Sequence, residues 1–397
     1  MYDSKDFPQL EYLKKENLVY LDSAATSLKH KSAIEEEHRF NSQAVSNVHR
    51  GTHRLSARAT DEFEIARNKT ASILNVDSNQ IVFTKGVTES VNLVAHHFEQ
   101  TLTAKDAILI TEMEHHANMV PWQRVSKKTG AKLLYVPVND NGELDLEVAK
   151  DLFESYSIKI FSFVHISNTL GTLNPTKKLI KMAKDNGSMV MVDGAQAFTT
   201  HQPDLKSMDC DFYTFSVHKA FGPFGLGVLY IKTPDETLPY QLGGAMIQDV
   251  EWDKSTYLTG SLKFETGTPH ISGVLGFSKA LDFVKSLNLE KVISHQTKMV
   301  DIARLGLSKL EGFNEFGKSK TKVGILSFYY DGVHSNDLCE LLDEQGLALR
   351  SGHHCTQPLL KKYGLSTCAR ASFSVYNEES DAERLIEGTK KALEMLR

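Results

Sequence analysis

The sequence predicts an α/β protein in which a large domain with a mostly parallel seven-stranded sheet precedes a smaller α+β C-terminal domain. Between Ile81 and Lys232, short β-rich runs alternate with helical patterns, as in parallel sheets covered by helices on both faces. The runs Met189-Val190-Met191-Val192 and Ile160-Phe161-Ser162-Phe163-Val164 are nearly continuous in apolar residues, which suits strands buried on both sides. After about Glu265 the pattern turns to long amphipathic helices followed by separate strands, marking a second unit.

Taken in order, residues 1–20 form an N-terminal segment. Met1 to Glu16 mixes Asp, Lys and Glu without a continuous apolar stretch, so neither a secretory signal nor an Arg-rich transit peptide is expected. Residues 21–264 form the large domain. Its strands are expected at Ile81 to Phe83, Ala107 to Thr111, Leu133 to Val138, Lys159 to Ile166, Met189 to Asp193, Asp211 to Val217 and Val228 to Lys232. A helix from Glu89 to Phe98 follows the first. The stretch Gly260 to Pro269, rich in Gly, Ser and Thr, marks the boundary. Residues 265–397 then supply helices at Ser272 to Leu287 and Leu289 to Leu310, and strands at Gly324 to Tyr330, Leu347 to Ser351 and Ala369 to Val375.

Composition narrows the function. Of 397 residues, 41% are hydrophobic and 24% charged, which excludes disordered, collagen-like and coiled-coil classes. Lys plus Arg total 45 against 50 Asp plus Glu, a balance that argues against a nucleic-acid partner and favours small molecules or proteins. No apolar stretch reaches membrane-spanning length. The four cysteines, Cys210, Cys339, Cys355 and Cys368, are irregularly spaced and contain no CxxC pair. That spacing fits neither a disulfide framework nor a structural zinc site, and a reducing cytoplasm is the expected compartment.

Ligands in open α/β sheets sit at the carboxyl ends of strands, and the candidate chemistry lies there. Phe215-Ser216-Val217-His218-Lys219 ends a strand and runs into a glycine-bearing stretch. A desolvated lysine is nucleophilic enough for imine chemistry, whereas a solvated surface lysine is the ordinary alternative. Asp193 ends an apolar strand, where it serves either as a helix N-cap or as the partner of a protonated pyridine nitrogen, with Gln196 near a ring hydroxyl. Gly86, Val87 and Thr88 lie in a turn feeding a helix N-terminus, a ready anion site or simply a capped turn. His115 offers a flat imidazole for stacking. The pairs His115-His116 and His353-His354, with Cys355, also admit a metal reading, although no HExxH, CxxC or spaced carboxylate accompanies them. Cys355 lies after a strand in a glycine- and histidine-bearing loop suited to an exposed, mobile nucleophile, with Arg350 and imidazole nearby to favour a thiolate. The other cysteines read as buried hydrophobes. Arg370 suits a substrate carboxylate, unless it is an ordinary surface arginine.

In this order the segments resemble the SUF-type (group II) cysteine desulfurases of the class V aminotransferase family, within the fold-type I pyridoxal-phosphate enzymes. The resemblance runs from Val19-Tyr20-Leu21-Asp22-Ser23-Ala24-Ala25-Thr26 through Asn47-Val48-His49-Arg50-Gly51, Glu114-His115-His116-Ala117-Asn118 and His165-Ile166-Ser167-Asn168. It continues through Asp193-Gly194-Ala195-Gln196-Ala197, Ser216-Val217-His218-Lys219 and Gly267-Thr268-Pro269 to Gly352-His353-His354-Cys355 and Arg370-Ala371-Ser372.

The resemblance implies a pyridoxal 5′-phosphate enzyme that converts L-cysteine to L-alanine and leaves a persulfide on Cys355 for iron-sulfur or other thio-cofactor assembly. Lys219, Cys355 and His115 would be catalytic: Lys219 carries the Schiff base and His115 stacks on the ring. Asp193 and Gln196 would meet the ring nitrogen and hydroxyl, while Thr88, Ser216 and His218 hold the phosphate beside Gly86 and Val87. Asn168 and Arg370 would orient the substrate, with Arg350 and His49 at the entrance. Thr268 would reach the partner's phosphate site in a homodimer, and a protein would accept the sulfur. No metal is implied. The pattern departs from the family at Val217, usually Gly, and at Ser351, Val87, Thr266 and His270, none of which removes a catalytic group. Rival readings are a selenocysteine lyase or another class V enzyme, and outside enzymes a catalytically silent sulfur-binding scaffold.

Overall fold

Apolar β-branched and aromatic residues build the central sheet of the computed structural model, which describes residues 3–397; Met1 and Tyr2, the start of the expected N-terminal segment, lie outside the described residues. Seven strands lie in the spatial order Ile81–Thr84, Gly227–Ile231, Phe212–Ser216, Met189–Asp193, Ile158–Val164, Ala107–Thr111, Lys132–Val136. Neighbours from Phe212–Ser216 to Lys132–Val136 pair in parallel, and Gly227–Ile231 runs antiparallel to both strands beside it. The strand Met189–Asp193 is central, and its Val190, Met191 and Val192 are fully buried, as its unbroken apolar run requires. All seven expected strands are present, within a residue or two at each end.

Register positions the chemistry. Val164 pairs with Asp193 and Asp193 with Thr214, so the carboxyl ends of three central strands finish level. The segments that follow them, at 165–168, 194–196 and 216–219, therefore emerge along one sheet edge.

The smaller sheet is antiparallel, in the order Phe313–Phe316, Ile325–Tyr330, Cys368–Ser372, Arg350–Gly352. The expected strand Leu347 to Ser351 is split, because Leu347–Ala348 pairs in parallel with Val19–Tyr20 while Arg350–Gly352 pairs with Cys368–Ser372. The chain changes partners at Leu349. Val19 and Leu21 are consequently buried in the core of the C-terminal unit. The helix Ile271–Ser286 lies beyond the boundary expected at 265, yet it packs on helices Lys31–Arg39 and Arg54–Leu74. Its Val274, Phe277 and Leu281 join the core of the large unit. The switch to the second core occurs along Leu289–Leu307, whose Met299, Val300 and Ala303 face the smaller sheet's cluster. Two short polar elements escaped the sequence pattern: Phe313–Phe316, and the hairpin Ile247–Val250 with Ser255–Tyr257.

Candidate active site

Lys219, Asp193, Gln196, His115, Cys355 and Arg370 face one cavity of about 250 Å³ at the carboxyl edge of the central sheet. Val87, Thr88, Asn168, Ser216, His218 and Arg350 line it as well. Residues as far apart in sequence as Val87 and Arg370 are thus gathered by the level strand ends and by the loop of the smaller domain.

Lys219 closes the single 3-10 turn Val217–Lys219 that follows the strand Phe212–Ser216. Burial lowers its amine to about 8, opposed by Asp193 and aided by Arg370. The peptide before it is clamped by residues 26–29: His218 O accepts from Ser27 N–H (3.0 Å), Thr26 Oγ1 (2.9 Å) and Lys29 Nζ (2.8 Å). Lys29 itself lies over the Phe224 ring at 4.2 Å, and burial lowers its amine to about 7.

Asp193 leaves the strand end nearly fully buried and accepts Ala195 N–H at 2.9 Å. No helix follows it before Leu205–Met208, so the N-cap alternative falls away. Burial raises its carboxyl, and the Ala195 amide and Lys219 draw it back. Gln196 Nε2 donates to Ala24 O at 2.7 Å.

The turn at Gly86 has φ +151, and Val87 N–H donates to Ser216 Oγ at 3.0 Å. That bond ties the helix Val87–Thr101 to the end of the strand Phe212–Ser216. Thr88 sits in the helix's first turn, where free amides and the dipole favour an anion. Gly86 itself shapes the turn without lining the cavity.

His115 caps the short helix His116–Asn118, its Nδ1 accepting Ala117 N–H at 3.0 Å. Burial, with Lys219 and His116 adding to it, lowers its pKa to about 4, so the ring is neutral. Behind it, the buried Glu114 accepts from Thr111 Oγ1 (2.5 Å), Asn118 Nδ2 (2.6 Å) and Val164 N–H (3.0 Å). Burial pushes that carboxyl up to about 8.

Arg370 is 3% exposed; its Nη1 donates to Asn168 O (2.9 Å) and its Nη2 to Asp22 Oδ1 (3.0 Å). The surface-arginine alternative therefore fails. The other Asp22 oxygen accepts from Arg350 Nε at 3.1 Å, so a single carboxylate aligns both cations.

Cys355 is half-buried rather than exposed, and its loop carries hydrogen bonds from the large domain. Its carbonyl accepts His116 N–H at 2.8 Å, Asn168 Nδ2 donates to His354 O at 2.8 Å, and Thr356 Oγ1 bonds Thr169 Oγ1 at 2.8 Å. These bonds arise from large-domain segments far away in sequence, so the local composition Gly-His-His-Cys gave no sign of them. Cys210, Cys339 and Cys368 are buried. Burial raises all three thiols, those of Cys339 and Cys368 to about 12, which removes them as nucleophiles.

His49 and Thr268 are not brought to this cavity. His49, at φ +71, donates its N–H to Thr60 Oγ1 at 2.7 Å and sets its ring edge-on to Phe63. Thr268 lines a separate groove with Lys85, Glu89 and Tyr240. Asp22, Lys29 and Glu114 carry functions that sequence reasoning missed. Asp22 stands two residues past the short strand Val19–Tyr20 inside a quoted motif, a position that could have flagged it.

The cavity's polar inventory tests what it could hold. His218 Nδ1, Asn168 Oδ1, His354 Nδ1 and Arg370 Nε are buried without a hydrogen-bond partner, and all four residues line it. Unpaired buried polar atoms are costly, so the site is shaped for a polar ligand. Thr88, Ser216 and His218 can take a phosphate, Asp193 a cationic ring nitrogen, and Lys219 an aldehyde, so the donor set fits pyridoxal phosphate. Among the described residues no group of three or more His, Cys, Asp or Glu side chains converges as a metal site. Nor is any helix among them long and apolar enough to cross a membrane.

The family model for aminotransferase class V matches residues 19–385. A probable cysteine desulfurase of Vibrio cholerae is 40% identical over 98% of this chain and 97% of its own length. A cysteine desulfurase of Haloferax volcanii is 41% identical over 95% of this chain and 90% of its own. Among solved structures, cysteine desulfurase CsdA (S-sulfonic acid) from Escherichia coli superposes with a TM-score of 0.91 at 37% identity, covering 99% of this chain and 98% of that one. The apo cysteine desulfurase of Thermococcus onnurineus NA1 gives 0.93 at 34% identity, covering 98% and 97%.

Proposed function

The chain belongs to the class V aminotransferase family, and from that premise we propose that it is a pyridoxal 5′-phosphate-dependent cysteine desulfurase that converts L-cysteine to L-alanine and takes the sulfur onto Cys355 as a persulfide. The observation that carries this reading is the convergence of Lys219, Asp193 and Cys355 on one cavity. A scaffold has no physical need for all three.

Pyridoxal phosphate would be held by Lys219, Asp193, Gln196, Thr88, Ser216 and His218, and when bound it supplies an electron sink for the substrate's α-carbon. The remaining work belongs to the protein. Lys219, with its amine lowered to about 8, changes protonation near neutral pH and so can take a proton from one substrate carbon and return it to another. Arg370, already aligned by Asp22, offers its unpaired Nε–H to the substrate carboxylate, and Asn168 offers an unpaired amide oxygen to the ammonium group. Neutral His115, lining the same cavity, would meet the cofactor ring without setting a cation against it. Cys355 Sγ approaches from the opposite domain and accepts the substrate's sulfur as a new S–S bond, while the C–S bond breaks and its electron pair stays on the carbon.

The same reading takes the persulfide to a protein thiol acceptor and from there to iron-sulfur or other thio-cofactor assembly in the cytoplasm. It pairs the chain as a homodimer in which Thr268 serves the partner's phosphate site; its place in a groove away from its own chain's cavity supports that. The test is absorbance near the cofactor's visible band together with alanine and sulfide assays on wild type, Lys219→Ala and Cys355→Ala. Loss of the lysine-bound band in Lys219→Ala, with alanine formed by wild type and not by Cys355→Ala, is the expected outcome. No band after reconstitution with pyridoxal phosphate would sink the reading.

A further inference from the structure

We propose that His116 is the catch of the Cys355 loop, a positioning residue that holds the thiol at the cavity and whose release opens it to a sulfur acceptor. The inference rests on the reading of Cys355 as the sulfur-accepting group. His116 is not among the cavity's lining residues, so it does not touch the reacting atoms. It grips the loop twice: its main-chain N–H donates to Cys355 O at 2.8 Å, and its ring Nε2 accepts Gln357 N–H at 3.1 Å. The two bonds fall on either side of residue 356. The other ties from the large domain reach His354 and Thr356 on the two sides of Cys355, and among the described residues the His116 bonds alone hold the Cys355 carbonyl and the Gln357 amide.

The loop needs such a catch. His354 and Cys355 are consecutive non-glycine residues in the left-handed region, with φ of +48 and +58. Side chains rarely adopt that conformation, and it persists where surrounding contacts impose it. Once one grip is lost, the backbone gains by relaxing away from the cavity. The ring must be unprotonated at Nε2 to accept the Gln357 amide. Burial and the neighbouring His353 ring, 5.6 Å away, both lower the His116 pKa and keep that lone pair available.

The catch is tested on the holoenzyme with His116→Ala, His116→Gln and His116→Asn, through alkylation of Cys355 by iodoacetamide at fixed pH, amide exchange at Gln357 and alanine formation. The glutamine amide oxygen reaches about as far as Nε2, whereas asparagine stops near Nδ1. His116→Ala should raise the alkylation rate and Gln357 exchange about fivefold, the scale of one lost hydrogen bond, with the cofactor spectrum unchanged and alanine formation reduced. Glutamine should restore wild-type behaviour and asparagine should not. Wild-type alkylation and exchange in His116→Ala would overturn the proposal, as would equal increases in the alanine and glutamine variants. Alkylation and exchange judge the catch whether or not the wild-type chain forms alanine, so the two readings fail separately.

Discussion

Asp22 holds Arg350 with one oxygen and Arg370 with the other, so Asp22→Asn removes the charge that orients both guanidinium groups while keeping the side chain's size. We expect KM for L-cysteine to rise at least about tenfold, since charge-assisted bonds are worth roughly 1.5–3 kcal/mol, with a smaller effect on kcat; steady-state kinetics would show it. Lys219 sets a pH dependence. Its amine is lowered to about 8 by burial, and the neutral form is the nucleophile. The rate at which apoprotein captures pyridoxal phosphate should therefore climb as pH rises from 6.5 toward about 8 and flatten above it, which stopped-flow absorbance would follow. A profile still rising steeply past pH 9.5 would mean an unperturbed lysine. Lys219, Asp193 and Cys355 were legible in the sequence because each stands where a strand ends or a glycine-bearing loop begins. Asp22 and Lys29 were not, because the partners that matter lie far off in the chain: 348 residues separate Asp22 from Arg370 and 189 separate Lys29 from His218.

At the scale of elements, the strand Met189–Asp193 and the turn after it depend on Gly194. A Cβ there would lie 2.1 Å from Tyr213 Oη, and that phenol is fully buried and bonded to His165 Nδ1 at 3.2 Å. Gly194→Ala should cost about 2 kcal/mol or more through overpacking, read as a lower urea midpoint, and it should weaken cofactor retention by shifting Asp193. The central strands were legible because burial on both faces writes continuous apolar runs into the sequence. The split of Leu347 to Ser351 was not, because it depends on which partner each half meets. The bonds that reach the Cys355 loop were not legible for the same reason: Gly352 and the histidines give no sign of His116, Asn168 and Thr169.

For the molecule as a whole, residues 19–29 join the two units. Val19–Tyr20 extends the C-terminal unit through Leu347–Ala348, Leu21 O accepts Ser372 N–H at 2.7 Å, and residues 26–29 then clamp His218 O in the large unit. Although the chain has two cores, we expect them to unfold together: urea transitions followed by far-UV circular dichroism and by the buried Trp122, in a Trp252→Phe background, should coincide. Two separated transitions would show that the strap does not couple them. The change in pattern near Glu265 falls short of the switch between cores, which comes along Leu289–Leu307. The return of the N-terminus to the far domain was not legible, because two residues of strand carry too little periodicity to announce a partner.

The clamp on His218 O has a thermodynamic corollary. Burial lowers the Lys29 amine to about 7, so the donor to the carbonyl preceding Lys219 changes charge close to neutral pH. Burial, and after it the charges of Lys219 and Lys29, disfavour protonation of His218. By linkage, whatever anion settles against His218 must in turn alter proton uptake at Lys29. The opening stretch of the chain and its reactive lysine thus share a proton-binding polynomial, and calorimetry of cofactor binding in buffers of different ionisation enthalpy would register their common proton.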